Sequence, residues 1–149
     1  MRAGDIISRP VTRVAPDATV TEAAGLLVEH GYSALPVVED GRLVGIATEA
    51  DMVRARIPAG DDATAATRPA VTVGEVMTRD PVSRTPDSDV ADVVGEMLDR
   101  RLRVVPIVED GSLVGVLTRR DVLRCVAQRR LTSADVWHDR LDLADRERG

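Results

Sequence analysis

The sequence Pro36-Val37-Val38-Glu39-Asp40-Gly41 reappears almost unchanged, 70 residues later, as Pro106-Ile107-Val108-Glu109-Asp110-Gly111. The two stretches align without a gap, and the match continues outward on both sides. Such self-similarity is typical of a duplicated unit, each copy of which is too small to hold a good core alone. The other matched positions are Pro16 with Pro86, Leu43-Val44-Gly45 with Leu113-Val114-Gly115, Thr48 with Thr118, Asp51 with Asp121, and Arg54 with Arg124.

In each copy, the spacing of apolar residues predicts the order strand, helix, strand, strand, helix. Thr19-Val20-Thr21-Glu22 has the Thr-x-x-Glu pattern of a helix capping box. Two short β-branched runs, 34–38 and 43–47, flank Glu39-Asp40-Gly41-Arg42, which predicts a hairpin because glycine readily adopts positive φ. The predicted fold class is therefore α+β, a tandem repeat of two β-α-β-β-α units. Apolar residues at helical spacing in the two helices are Ala23, Ala24, Leu27, Val28, Met52 and Val53.

Composition along the chain predicts four segments. The copies span residues 3–56 and 73–128, and residues 57–72 are a small, polar linker that contains Pro58 and Pro69. Residues 129–149 are expected to form a C-terminal helix and tail, with Trp137 as a packing anchor.

Several function classes are disfavoured by composition. No apolar run approaches the roughly 20 residues of a membrane span, and the start lacks a signal peptide, so we expect a cytoplasmic protein. The net charge of −5 argues against a general affinity for nucleic acid. Cys125 is the only cysteine and is expected to be buried, and the two histidines lack metal-ligand spacing. No nucleophile motif or phosphate-binding loop is present, so we expect neither a metal site nor an enzyme.

With this repeat, the chain resembles the CBS domain family, whose members carry two such units in tandem. The resemblance covers nearly the whole chain and rests on motifs that occur in order in both copies. The first copy departs from the pattern at its start, where Ser8 replaces the usual Thr but keeps the hydroxyl. The motifs are Met77-Thr78-Arg79-Asp80-Pro81-Val82, the strands Leu35–Val38 and Val105–Val108, and Gly45-x-x-Thr48-x-x-Asp51 with Gly115-x-x-Thr118-x-x-Asp121.

The resemblance implies that the two units pack about a pseudo-twofold axis and leave two clefts, which in many relatives bind AMP, ADP, ATP, S-adenosylmethionine or NAD. It implies that Asp51 and Asp121 bind ribose and that Thr48 and Thr118 lie near the phosphate. Arg103 stands where relatives often have a phosphate-binding arginine. The other candidate site residues are Ile7, Ser8, Val11, Met77, Thr78 and Val82 at the adenine edge, with Ser33 and Arg120 completing the set.

These residue types also fit such a ligand on chemical grounds. An ionised aspartate accepts hydrogen bonds from both ribose hydroxyls, and a helix that starts at Thr48 or Thr118 directs free N–H groups at an anion. Thr-x-x-Asp is equally the pattern of a simple helix cap, and that interpretation stays open. The clefts are expected to be unequal, the second favouring anions, because Ser33, Glu49 and Ala50 correspond to Arg103, Arg119 and Arg120.

Two functions follow as hypotheses. The first is a regulatory module that binds an adenosyl ligand, requires no cofactor, and signals through a change of conformation or of dimer arrangement to an unidentified protein partner. The second is a ligand-free module for dimerisation or protein interaction. In either case a homodimer is expected, with the apolar helix residues Val93, Val94 and Met97 as candidates for its interface.

Overall fold

The computed structural model describes residues 1–8, 12–56 and 71–128, which fall into two compact units. Residues 12–81 form one unit, here called the continuous unit. Residues 1–11 and 82–149 form the other, called the split unit. Val11, most of the predicted linker, and the predicted C-terminal helix with Trp137 lie outside the described residues.

The continuous unit is built on an antiparallel hairpin with helices beside it. Strands β1 and β2 pair with Pro36 opposite Ile46, and the short β3 pairs antiparallel with β2. The predicted hairpin is confirmed, and its turn is shorter than expected, because the strands extend to Glu39 and from Arg42 and leave Asp40 and Gly41 with φ of 51° and 77°. The elements are α1 (Val20–His30), β1 (Ala34–Glu39), β2 (Arg42–Thr48), α2 (Glu49–Arg56), α3 (Val73–Val76) and β3 (Thr78–Arg79).

The split unit repeats this design. Its strands β4 and β5 pair with Pro106 opposite Val116, and the turn residues Asp110 and Gly111 have φ of 52° and 81°. Ser8 forms a single bridge to Val116, the position that matches the pairing of β3 with β2. The elements are a 3₁₀ turn (Ala3–Asp5), α4 (Val90–Asp99), β4 (Val104–Glu109), β5 (Ser112–Thr118) and α5 (Arg119–Ala127).

The residues that open each sequence copy pack in the unit formed mainly by the other copy. The N–H groups of Ala3 and Gly4 donate to the carbonyls of Ser88 and Pro86, at 2.8 and 2.9 Å. In the continuous unit, the N–H of Gly74 donates to the carbonyl of Pro16 at 2.8 Å. The compact units therefore begin and end at different residues from the sequence repeats.

The predicted order of elements is present in both copies, with a short first strand. That strand is two residues long in the second copy, and in the described part of the first copy it is reduced to single bridges at Ser8 and Val14. The capping box of α1 is confirmed, since Glu22 N–H donates to Thr19 Oγ1 at 3.1 Å. Of the apolar residues at helical spacing in α1, Ala23 and Leu27 are buried, whereas Val28 is 83% exposed.

Each unit has its own apolar core between its helices and its hairpin. The core of the continuous unit includes Val20, Leu27, Leu35 and Val37. Cys125 is buried in the core of the split unit, as predicted.

The three residues expected to cover a dimer interface belong to a core instead. Val93, Val94 and Met97 are buried in the split unit, because the apolar side of α4 packs on its own hairpin, which contributes Val105 and Ile107. That expectation is therefore wrong for these residues. None of the helices in the described part of the chain combines the length and the apolar character needed to cross a membrane.

Candidate functional site

The predicted site centres on the junction where a strand runs directly into a helix. Thr48 ends β2 and Thr118 ends β5, and in each case the helix begins at the next residue. The N–H of Asp51 donates to Thr48 Oγ1 at 3.2 Å, and that of Asp121 donates to Thr118 Oγ1 at 3.1 Å. Both Thr-x-x-Asp motifs therefore cap their helices.

Few backbone donors remain free at these helix starts. The N–H of Glu49 donates to the carbonyl of Ser33 at 2.9 Å, and that of Arg119 donates to the carbonyl of Arg103 at 3.1 Å. The next N–H along each helix, of Ala50 or Arg120, has no acceptor among the described residues. Within the described residues, each junction thus has one N–H without an acceptor at the positive end of the helix dipole.

The carboxylate of Asp51 is partly exposed and accepts from two donors among the described residues. Its Oδ2 accepts from Thr48 N–H at 2.9 Å, and its Oδ1 accepts from the guanidinium of Arg54 at 2.8 Å. The side chain of Asp51 is 11% exposed, whereas that of Arg54 is mostly in solvent. This carboxylate keeps free acceptor positions, since an ionised aspartate has about four.

The carboxylate of Asp121 is buried, with 2% of the side chain exposed. Its Oδ2 accepts from the N–H and the hydroxyl of Thr118, at 2.8 and 2.9 Å. Its Oδ1 accepts from Ser8 Oγ at 2.8 Å and faces the guanidinium of Arg124 at 3.4 Å. The two junctions share the same backbone arrangement, but the carboxylate of Asp121 accepts more hydrogen bonds than that of Asp51.

The predicted adenine-edge residues lie across the middle of the strand that leads to each junction. Ile7 packs on Gly115, where an added Cβ would lie 2.5 Å from Ile7 Cδ1. Met77 packs on Gly45, where an added Cβ would lie 2.5 Å from Met77 Sδ and 2.9 Å from the carbonyl oxygen of Thr78. Ile7 and Ser8 therefore share a unit with Thr118 and Asp121, and Met77 and Thr78 share one with Thr48 and Asp51.

The predicted difference in charge between the copies lies at the surface. Arg103, Arg119 and Arg120 are exposed in the split unit, and no ion pair involving Arg103 occurs within the described part of the chain. Ser33 and Val82 are half-buried, and neither side chain makes a contact that assigns it a role.

An open groove of about 640 Å³ lies elsewhere on the continuous unit, near the turn end of the β1–β2 hairpin. Met77 lines it, but Thr48 and Asp51 do not. The candidate site is therefore defined by the junction residues and not by this groove.

Sequence reasoning left four residues out of the site. Arg54 and Arg124 each contact the junction aspartate from one helical turn along, and Gly45 and Gly115 leave room for the crossing segment. These four residues form two matched pairs, Arg54 with Arg124 and Gly45 with Gly115, one member of each pair in each copy. A glycine inside a strand often marks the close approach of another backbone. The recurrence of both pairs in the repeat, together with a glycine inside a strand, is the sequence feature that could have identified these residues.

The comparisons with known proteins agree with this architecture. The CBS domain family profile matches residues 3–57 and 73–128. The CBS domain-containing protein YhcV of Bacillus subtilis is 33% identical over 118 residues, which cover 79% of this chain and 80% of that protein.

Two similar solved structures contain adenosyl ligands. The structure of CBSX2, a CBS-pair protein of Arabidopsis thaliana, in complex with AMP has a TM-score of 0.75 and 30% identity, over 87% of this chain and 98% of that one. The CBS domain pair of protein MJ0100, in complex with 5′-methylthioadenosine and S-adenosyl-L-methionine, has a TM-score of 0.72 and 29% identity over the same shares. From its two profile matches and its duplicated fold, this chain belongs to the CBS domain family.

Proposed function

We propose that this protein is a regulatory module that binds an adenosyl ligand beside its Thr-x-x-Asp junctions and has no catalytic activity of its own. The observation that carries the proposal is the duplicated junction, which sets an aspartate carboxylate beside a free helix N–H. The AMP complex of CBSX2 and the S-adenosylmethionine complex of MJ0100 support the adenosyl class of ligand.

The chemistry of the junction suits the sugar and the phosphate of such a ligand. A ribose has two adjacent hydroxyl donors, and the free acceptor positions of Asp51 match them. Within the described residues the hydroxyl of Thr48 accepts a bond from Asp51 N–H and donates none, which leaves its proton for a phosphate oxygen. The N–H of Ala50 is a second donor at the same helix end.

The arginines of the split unit favour a phosphorylated ligand there. Arg103 and Arg120 are exposed and carry fixed positive charge, whereas the matching Ser33 and Ala50 are neutral. A guanidinium can donate two parallel bonds to a phosphate, so we assign the preference for AMP over adenosine to the junction of Asp121.

A thermal-shift panel with AMP, ADP, ATP, S-adenosylmethionine and NAD tests the proposal. A true ligand present at about 100 times its dissociation constant adds about 2.7 kcal/mol of stability. Asp51→Ala should then weaken calorimetric binding at its junction by about 10- to 100-fold, because charge-assisted bonds to ribose are lost. Absence of a shift with every compound would contradict the proposal.

Glu39→Ala is the matched control for Asp51→Ala. It removes a carboxylate from the same unit, at an exposed position that lines the separate groove. Glu39→Ala should retain the affinity of the wild type. Equal weakening by both substitutions would indicate a general effect of charge and would remove Asp51 from the site.

Ligand binding would be transmitted as a change in conformation or in a homodimer, and the protein would act in the cytoplasm, where these nucleotides are abundant. A ligand-free interaction module is the second candidate. It is favoured by exposed apolar residues at matching helix positions, Val28 with Leu98 and Val53 with Leu123. A protein that dimerises but gives no thermal shift would establish this second function.

A further inference from the structure

Ser8 occupies an acceptor position on the carboxylate that the proposed ligand needs in the split unit. Its Oγ donates to Asp121 Oδ1 at 2.8 Å, although the two residues are 113 positions apart. The backbone holds Ser8 in place, because its N–H donates to the carbonyl of Val116 at 3.0 Å and Ile7 packs on Gly115 beside it. The hydroxyl is therefore positioned by the strand that it crosses.

The carboxylate of Asp121 has no acceptor position left. It offers about four, and these face Ser8, Arg124 and the two donors of Thr118. A ribose diol needs two acceptors. At least two of the present donors must leave before a ribose can bind to this carboxylate.

The matching carboxylate of Asp51 meets no such obstacle. Thr78, at the position of Ser8, has the same backbone register on β2 as Ser8 has on β5, but it is exposed and makes no side-chain hydrogen bond within the described part of the chain. Within the described residues, the donors to the carboxylate of Asp51 are Thr48 N–H and Arg54. Each aspartate has one arginine partner, Arg54 at 2.8 Å from Asp51 and Arg124 at 3.4 Å from Asp121, so the donor found at only one junction is the hydroxyl of Ser8.

We propose that Ser8 is an internal competitor of the ligand, so that the junction of Asp51 fills first and that of Asp121 fills only after Ser8 has moved. This inference rests on the proposed function and adds an order of binding to it. The donors of Thr118 belong to the helix cap, and its hydroxyl can rotate toward a ligand. Ser8 comes from a separate segment and is the donor whose departure opens the site.

Calorimetric titration of Ser8→Ala with adenosine tests the competition, since adenosine has the ribose and base but no phosphate. The wild type should bind in two steps, a tighter one and a weaker one. In Ser8→Ala the weaker step should tighten by about three- to tenfold, because no bond to the carboxylate has to be broken first. The tighter step should not change.

Ser112→Ala is the matched control, because it removes the same hydroxyl from an exposed position on β5 of the same unit. Both of its binding steps should equal those of the wild type. Thr78→Ala should produce no gain at either step. An equal gain in Thr78→Ala or Ser112→Ala would overturn the role assigned to Ser8.

The other outcomes separate the competition from the proposed function. If wild type binds adenosine and Ser8→Ala leaves the weaker step unchanged or weakens it, the competition is overturned and the proposed function stands. If neither protein binds adenosine, AMP or S-adenosylmethionine, both are overturned.

A measurement without ligand tests the contact itself. The melting temperature of the double variant Ser8→Ala with Asp121→Ala should be no lower than that of Asp121→Ala alone, because the two single changes remove the same hydrogen bond. Additive losses would show that Ser8 does not hold Asp121 in solution, which overturns the competition.

Discussion

At the scale of single residues, the two junction aspartates make the same helix-capping bond but differ in burial and in their other hydrogen-bond donors. Asp51 and Asp121 each receive the N–H of the threonine three residues earlier, at 2.9 and 2.8 Å. Only Asp121 is nearly sealed from solvent and also receives hydroxyl donors. A buried donor that loses its acceptor costs more than an exposed one, since water cannot replace the lost bond.

Asp121→Ala is therefore expected to lower the free energy of unfolding by about 3 kcal/mol, and Asp51→Ala by about 1 kcal/mol. The larger loss arises because Asp121 is the more deeply buried carboxylate, and its removal also takes the acceptor from the part-buried hydroxyl of Ser8. Urea denaturation of the two variants without ligand measures the difference. Equal losses would contradict the distinction between the buried carboxylate of Asp121 and the partly exposed carboxylate of Asp51.

The sequence predicts the Thr-x-x-Asp motifs well but not the contact of Ser8 with Asp121. The cap is local, and a spacing of three residues at a helix start determines which groups meet. Ser8 and Asp121 are 113 positions apart, and no periodic pattern links them. The repeat assigns Ser8 to the first copy, yet its segment packs with the second.

At the scale of elements, the crossing segments depend on the two strand glycines. At Gly115 the atoms nearest to an added methyl group belong to the side chain of Ile7, whereas at Gly45 they include the backbone carbonyl oxygen of Thr78 at 2.9 Å. A side chain can rotate away, but β3 would have to leave its pairing with β2. The same substitution therefore has unequal consequences in the two units.

Gly45→Ala is expected to lower the free energy of unfolding by about 3 kcal/mol, and Gly115→Ala by about 1 to 2 kcal/mol. Adding Ile7→Ala to Gly115→Ala should recover part of the loss, because it removes the atoms that the new methyl group meets. Thermal or urea unfolding measures all three variants. If the loss of unfolding free energy in the double variant equals the sum of the losses in the two single variants, this packing is contradicted.

Hairpins and helices are the elements that sequence predicts best here. The Asp-Gly turns and the capping box of Thr19 depend on residues close in the chain. Helical spacing also yields an apolar stripe, but it does not say which part of the stripe meets the hairpin. For that reason the spacing does not predict that Val28 is exposed, and Val93, which is expected at an interface, is buried in a core.

At the scale of the whole molecule, apolar side chains remain in solvent at matching places in the two units. Val53 on α2 is 57% exposed and Leu123 on α5 is 67% exposed. Val28 and Leu98 repeat the pattern on α1 and α4. Such residues are candidates for covering by a second copy, now that Val93, Val94 and Met97 are placed in a core.

We predict a homodimer, and Val53→Glu with Leu123→Glu should convert it to a monomer, because burying a charge against an apolar surface is unfavourable. Light scattering at tens of micromolar measures the mass of both proteins. Ser112→Glu adds a charge at an exposed strand position and should remain dimeric. A monomeric wild type would contradict the prediction.

The division of the split unit also has a consequence for synthesis on the ribosome. Residues 12–81 are contiguous, so the continuous unit can form as soon as its own length has emerged. The contact of Ser8 with Asp121 cannot form until Asp121 has been translated, 113 residues later. That interval lasts roughly 6 to 20 seconds at ordinary elongation rates. During that interval the nascent chain carries an unpaired leading segment, and Gly115, against which Ile7 comes to rest, has yet to be translated. We therefore expect a change in translation rate to alter the yield of the split unit more than that of the continuous unit.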